Sequence, residues 1–331
     1  MRERERRVFA LIDDLIGTLP VPSRHKDLLH VHIEVTRDQA EYSPEISAVQ
    51  LPLLAHAAIT GDERAALPVA AACTILHLGV DLFDSIVDHE LPPPWHVRSP
   101  AEANLAATTF LSALPQLSLD HLQDQGTPPA RLWTLAQLFA SALLTMSAGQ
   151  HEDLLFSNLE NVPLEDCLAM VERKSGSEIA LLARTGAVLA TEDSPTIEAY
   201  AAFGSCLGIA KQLINDVWGI WGEDASRDLL EGKRTFPIVY ALSTLEGEQR
   251  EQLQRLLAVA RESVEHHDEV RAMLEEAGSV RYTALIVWLH QQLAGNHLDV
   301  ASPRDPAGRE LRMLLDQASL VSRHEEARVS D

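Results

Sequence analysis

The chain has 331 residues, 46% of them hydrophobic, and a mean hydropathy of −0.05, enough for one large core. A net charge of −22 gives a surface that repels phosphate backbones and anionic headgroups, so nucleic acid is not expected as a partner. Cys73, Cys167 and Cys206 lie far apart in apolar contexts with no CxxC pair, which supports neither zinc nor a disulfide framework and fits a reducing, cytoplasmic setting.

The first twenty residues, MRERERRVFALIDDLIGTLP, mix Arg with Glu and Asp and hold no uninterrupted apolar run. They read as an amphipathic helix over 1–20, not as a signal peptide or a membrane span. From there nearly every segment is rich in Ala and Leu at helical spacing, and strand signals are almost absent. The pattern predicts helices over 4–18, 24–36, 44–59, 64–89, 100–114, 130–157, 163–190, 194–222, 234–243, 246–264, 266–276, 278–296 and 305–323. Breakers fall between them, among them Pro20-Val21-Pro22, Pro92-Pro93-Pro94 and Ser194-Pro195. Short loops between long helices predict antiparallel neighbours. The apolar windows, such as 67–80, are interrupted by His77 or are too short to span a bilayer, so no transmembrane segment is expected. With no linker and no repeat, the expectation is one all-α domain over 1–331, a single-domain antiparallel helical bundle with a central apolar cavity. The charged residues 323–331 should form a frayed tail.

Two acidic clusters stand out. One is Asp84-Ser85-Ile86-Val87-Asp88, with Asp81 before it and Glu90 after; the other holds Asn215, Asp216, Gly219 and Glu223. Asp84 and Asp88 are four apart, as are Asn215 and Gly219, so on a helix each pair shares a face. Acidic residues so spaced are commonly just solvated helix faces. Here, however, the flanks are apolar, at 75–80 and at 207–214, and a buried carboxylate without a partner is costly. Hard oxygen donors on two helices suit Mg²⁺, which takes a few carboxylates together with substrate phosphates. The expected metal ligands are Asp84, Asp88, Asn215, Asp216 and Glu223.

Further motifs follow in order. They are Gly149-Gln150 with Asp153, Lys174-Ser175-Gly176, Gly186 to Ala190, Phe203-Gly204 with Leu207-Gly208 and Gln212, and Asp228 to Pro237. Each is weak alone. In this sequence, after an Asp84 to Asp88 motif similar to DDxxD, they resemble the polyprenyl synthetase branch of the class I isoprenoid synthases, from about residue 44 to 320. The resemblance implies ionisation of an allylic prenyl diphosphate with about three Mg²⁺ ions, which together with a few cations stabilise the departing diphosphate. It also implies a homodimer. Asp84, Asp88, Lys174 and Lys233 become the catalytic set, and Arg173, Lys174 and Lys233 contact the diphosphate. Gln150 and Gln212 either orient substrate or hydrogen-bond within the bundle. Gly79 takes the place of a tunnel-floor residue that leaves room for the prenyl tail.

This chain departs from the family in four places. The stretch 42–52 lacks the Lys and Arg of the family's GGKRxRP, and no Arg follows Asp88 until Arg98; an anionic co-substrate needs such cations. Ser85 replaces the second Asp of the first motif. Asn215-Asp216-x-x-Gly219-x-x-x-Glu223 looks like the metal triad of terpene cyclases. The expected function is therefore a class I terpene synthase that ionises farnesyl or geranylgeranyl diphosphate and cyclises or quenches the cation. The alternatives are a prenyltransferase (a trans-polyprenyl diphosphate synthase, or one that uses a non-isopentenyl acceptor) and a non-catalytic partner subunit.

Overall fold

The structure, a computed structural model, describes residues 2–42, 47–222, 227–318 and 320. Glu223, residues 43–46 of the cation-poor stretch and the tail 323–331 lie outside the described residues. The described chain is all helix with no strand. It runs α1 (Glu3–Thr18), α2 (Ser23–Tyr42), α3 (Ser47–Thr60), α4 (Leu67–Val87), α5 (Pro100–Asp124), α6 (Pro129–Phe156), α7 (Leu164–Val171), α8 (Ser177–Ala190) and α9 (Ser194–Trp221). It continues α10 (Arg227–Glu231), α11 (Phe236–Thr244), α12 (Gly247–Ala260), α13 (His267–Glu276), α14 (Ser279–Ala301) and α15 (Ala307–Gln317).

Three elements differ from the sequence pattern, each for a physical reason. α5 does not stop at Pro115. It starts on a capping box in which Ser99 and Glu102 satisfy each other's backbone N–H groups, and beyond the proline it still buries Leu119 and Leu122. At about 1.5–3 kcal/mol per buried side chain, these outweigh the ~3 kcal/mol cost of an interior proline. The helix expected over 163–190 is broken by a π turn over Glu172–Gly176, and the short α10 was not foreseen.

The contacts group into two compact units. The first comprises Met1–Leu143, Leu181–Ala201 and Ala301–Leu311. Its centre is α4, buried from Pro68 to Gly79 except at His77, as expected of a helix that is apolar all round. It packs against α1, α3 and α5. Gly79 permits a close crossing, since a Cβ there would lie 2.8 Å from Leu111 Cγ on α5. Gly186 does the same where α8 meets α3, 2.3 Å from the Pro52 carbonyl oxygen. Toward its C-terminal end α4 opens along a stripe of His77, Val80, Asp81, Asp84 and Asp88.

The second unit comprises Leu144–Ala180, Ala202–Val300 and Arg312–Asp331. Ile220, Leu229, Ile238, Leu242, Leu253, Leu257, Val270 and Leu274 form its core where α9 to α13 meet. Gly204 and Gly208 carry α9 against the segment around the π turn. A Cβ at Gly204 would lie 2.4 Å from Ile179 O, and one at Gly208 2.6 Å from Ser175 O.

Two helical stretches, Arg64–Val87 and Pro129–Phe156, are long and apolar enough to cross a membrane by length and composition alone. The first is the core helix of its unit, 72% buried, whereas the second is 22% buried.

Candidate active site

In the first unit the candidate site is the open stripe of α4. Asp84 and Asp88 are both half-buried. Asp88 closes the helix, its N–H donating to Asp84 O at 2.9 Å, and His89 turns the chain away with a φ of 57°. One turn earlier, Asp81 is half-exposed, its side chain at 51%. His32, on α2 and fully buried, places Nε2 3.3 Å from Asp81 Oδ2. Its ring sits 6.3 Å, centroid to centroid, from both Trp95 and Phe110. Burial works to raise the Asp81 carboxyl, but the hydrogen bond from His32 and the charges of His32 and His77 win and hold it below its ordinary value.

Gly79 is not a tunnel floor. It faces Leu111 across the α4–α5 crossing, and the open position beside it is Val80. The helical rotation of 100° between neighbours separates the two.

The second unit has its own cluster of candidate residues, around the π turn. α6 comes so close that a Cβ on Gly149 would lie 2.5 Å from Lys174 N. From that turn Lys174 Nζ reaches Asp153 Oδ2 at 2.7 Å, and Arg173 reaches Glu152 Oε2 at 2.6 Å. Ser175 Oγ donates to Gln212 Oε1 at 2.8 Å, and Gln212 Nε2 donates to Asp216 Oδ1 at 2.8 Å. The other Asp216 oxygen accepts from Phe236 N at 3.1 Å. Gln212 thus bonds within the helices, between the π turn and Asp216. Gln150 follows Gly149 on α6, and its Oε1 is buried with no hydrogen-bond partner among the described residues.

The two halves of the second acidic motif point different ways. Asn215 is exposed, and Asp216 is 5% exposed with both oxygens accepting hydrogen bonds. Adjacent helical positions cannot share a face. Burial pushes Asp216 up to about 6, against the hydrogen bonds from Gln212 and Phe236 N–H, with Asp153 adding to the rise and Lys174 opposing it.

Gly219 has a role the motif did not reveal. An ideal Cβ there would lie 2.0 Å from Asp228 Oδ2 and 2.6 Å from its Cγ, so the Asp228 carboxylate fills the space a side chain at 219 would take. Burial, then the charge of Asp216, push Asp228 up to about 7, while Lys233 opposes the shift. Lys233 Nζ lies 2.7 Å from Glu231 Oε2 and 3.8 Å from Asp228 Oδ1. Gly232 makes the turn between them with a φ of 71°, a conformation that favours glycine.

Sequence reasoning singled out the cations but missed Glu152, Asp153, Asp228 and Glu231 as their partners. Asp153 and Asp228 stood in the quoted motifs, and that was the available signal. Among the described residues no group of three or more His, Cys, Asp or Glu side chains could hold a metal unaided. The donors on α4 fit Mg²⁺ all the same, since that ion takes one or two carboxylates and completes its shell with water and substrate phosphate.

The sequence model of the polyprenyl synthetase family matches residues 50–276. The chain is 29% identical over 204 residues to a (2E,6E)-farnesyl diphosphate synthase of Mycobacterium tuberculosis, covering 58% of this chain and 55% of that protein. It is 30% identical over 201 residues to a geranylgeranyl diphosphate synthase of the same organism, 57% of this chain and 56% of that one. The chain thus spans a little over half the length of these curated relatives. The fold matches a crystal structure of a polyprenyl synthetase from Streptomyces coelicolor A3(2) at 23% identity and a TM-score of 0.79, over 96% of this chain and 97% of that one. These names correct the terpene-cyclase expectation, because the proteins it resembles are named for making prenyl diphosphates. The motif behind that expectation also loses weight, since Gly219 accommodates Asp228. With the match covering well over half its length, the chain belongs to the polyprenyl synthetase family.

Proposed function

We propose that the chain is a prenyltransferase that moves the prenyl group of an allylic diphosphate to an acceptor. The observation that carries this reading is the π turn, which sets Arg173 and Lys174 on a rigid platform between Gly149 and the Ser175–Gln212–Asp216 relay. π turns inside helices mark functional sites more often than chance would give. Lys174, Arg173 and Lys233 are the groups that hold the diphosphate as it leaves; each lies against a carboxylate that it can exchange for phosphate oxygens. Asp84 and Asp88 would hold Mg²⁺. The ion, when bound, supplies positive charge where the C–O bond breaks. Buried free thiols at Cys73, Cys167 and Cys206 agree with a cytoplasmic setting.

Two copies would pair through α5 and α6. Leu105 (58% exposed), Leu117 (39%) and Trp133 (66%) leave apolar surface on these helices, where Leu117, Leu132 and Trp133 line a shallow groove of about 320 Å³. Exposed apolar patches of this kind mark association surfaces.

The test is incubation of the purified protein with Mg²⁺ and geranyl or farnesyl diphosphate, alone and with isopentenyl diphosphate, indole or octylamine. Prenylated acceptor should form in step with released diphosphate. Hydrocarbons or alcohols as the only products, with or without acceptor, would refute the reading.

A further inference from the structure

Asp81 is out of place on a helix face that is to handle anions. It sits three residues before Asp84 and seven before Asp88, on the same stripe of α4, with half its side chain open. Beneath it lies His32, wholly buried, with Nε2 at ion-pair distance, 3.3 Å, from the Asp81 carboxylate and neither ring nitrogen in a well-aligned hydrogen bond among the described residues. Trp95 and Phe110 flank the imidazole. A polar ring is costly to bury, and the charged side chain this ring approaches among the described residues is Asp81. His32 therefore aims that carboxylate.

Three cations of the same unit are committed elsewhere. Arg64 pairs with Asp62 at 2.7 Å, Arg98 with Glu102 at 3.6 Å, and Arg37 with Asp13 and Glu34. The stretches 42–52 and 89–97 contain no Lys or Arg at all. An outward carboxylate repels a diphosphate and attracts a hydrogen-bond donor or a cation.

We infer that Asp81, held by His32, is the binding group for the acceptor, and that the acceptor is a neutral or cationic nucleophile bearing an N–H or O–H (an amine, indole or phenol), not a second diphosphate. The inference rests on the prenyltransferase reading and names its co-substrate class. In the transfer, the allylic C1–O bond breaks and its electron pair leaves with diphosphate. The acceptor's electron pair, which an ammonium frees only by first giving a proton to the Asp81 carboxylate, forms the new bond to C1, and the proton the acceptor sheds passes by way of Asp81 to water.

The experiment compares wild type, Asp81→Asn and His32→Gln with farnesyl diphosphate, Mg²⁺ and either octylamine, indole or isopentenyl diphosphate. Circular dichroism verifies the fold. Wild type should prenylate octylamine or indole and make no longer diphosphate. Asp81→Asn should raise the acceptor KM about tenfold or more. His32→Gln should give a smaller rise in the same constant. Octylamine binding by equilibrium dialysis should weaken in parallel, a readout independent of turnover. Elongation with isopentenyl diphosphate at a rate matching amine transfer overturns the inference and leaves the prenyltransferase reading standing. An unchanged acceptor KM and unchanged dialysis in Asp81→Asn overturn it as well. If farnesyl diphosphate is not consumed under any condition, the prenyltransferase reading itself falls, and the acceptor inference with it.

Discussion

Gly149→Ala tests whether the π turn positions the chemistry. The added Cβ would lie 2.5 Å from Lys174 N and 2.9 Å from both Arg173 C and Lys174 Cα. These are backbone atoms, which no side-chain rotation can move aside. An ordinary contact begins at 3.4 Å, so α6 and the turn must part by about 0.9 Å. Overpacking of this kind costs about 1–3 kcal/mol, while replacing an interior helical Gly by Ala returns roughly 1 kcal/mol. The net loss of stability is then about 0–2 kcal/mol, which at roughly 2–4 °C per kcal/mol lowers Tm by less than about 8 °C. Turnover should suffer far more, because a misplacement near 1 Å can cost about 10²-fold. Gly17→Ala is the control, since nothing lies within 4 Å of its Cβ; it should keep full activity. The assay pairs thermal denaturation with diphosphate release from farnesyl diphosphate and Mg²⁺. A Gly149→Ala protein with wild-type kcat would refute the argument that this contact positions Lys174.

Asp84→Ala and Asp88→Ala should each lower Mg²⁺-dependent turnover by about 10² or more without altering circular dichroism, and rates equal to wild type would remove these residues from the metal site. Asp216, pushed up to about 6 from 3.8, binds its proton more tightly folded than unfolded. It therefore weakens the fold as pH rises from about 4 through 6. In metal-free buffer, Asp216→Asn should gain stability relative to wild type across that window. A gap between the two that stays constant from pH 4 to 7 would show that the carboxylate is not so buried. Trp133→Glu should convert a dimer to a monomer in sedimentation velocity, and a wild type that is already monomeric would end the pairing proposal.

The helices were legible because the core demands apolar residues at helical spacing, and α4 shows this directly: Pro68 to Gly79 reads apolar and is buried. What could not be read is which way a given residue points when its neighbour fits equally well. Gly79 suited a tunnel floor by its place before Asp84, and only the crossing at Leu111 shows that the open position is its neighbour Val80. The motif cations were visible as charges, but their partners were not, because Glu152 and Asp153 are brought to Arg173 and Lys174 by a turn of π geometry that no residue pattern announces. α5 shows the limit of breaker rules, since burial on both sides of Pro115 outweighed a local penalty. The terpene-cyclase reading failed for a related reason. A one-letter pattern cannot tell a missing side chain from a space already filled.

The filled space at Gly219 also constrains how this chain can change. Because the Asp228 carboxylate stands where a Cβ at 219 would go, the two positions form one unit of variation. A Gly219→Asp change must push the Asp228 carboxylate aside and sets a second carboxylate against the one already there. A lone loss of Asp228 leaves Lys233 with one acidic neighbour fewer and a void beside α9.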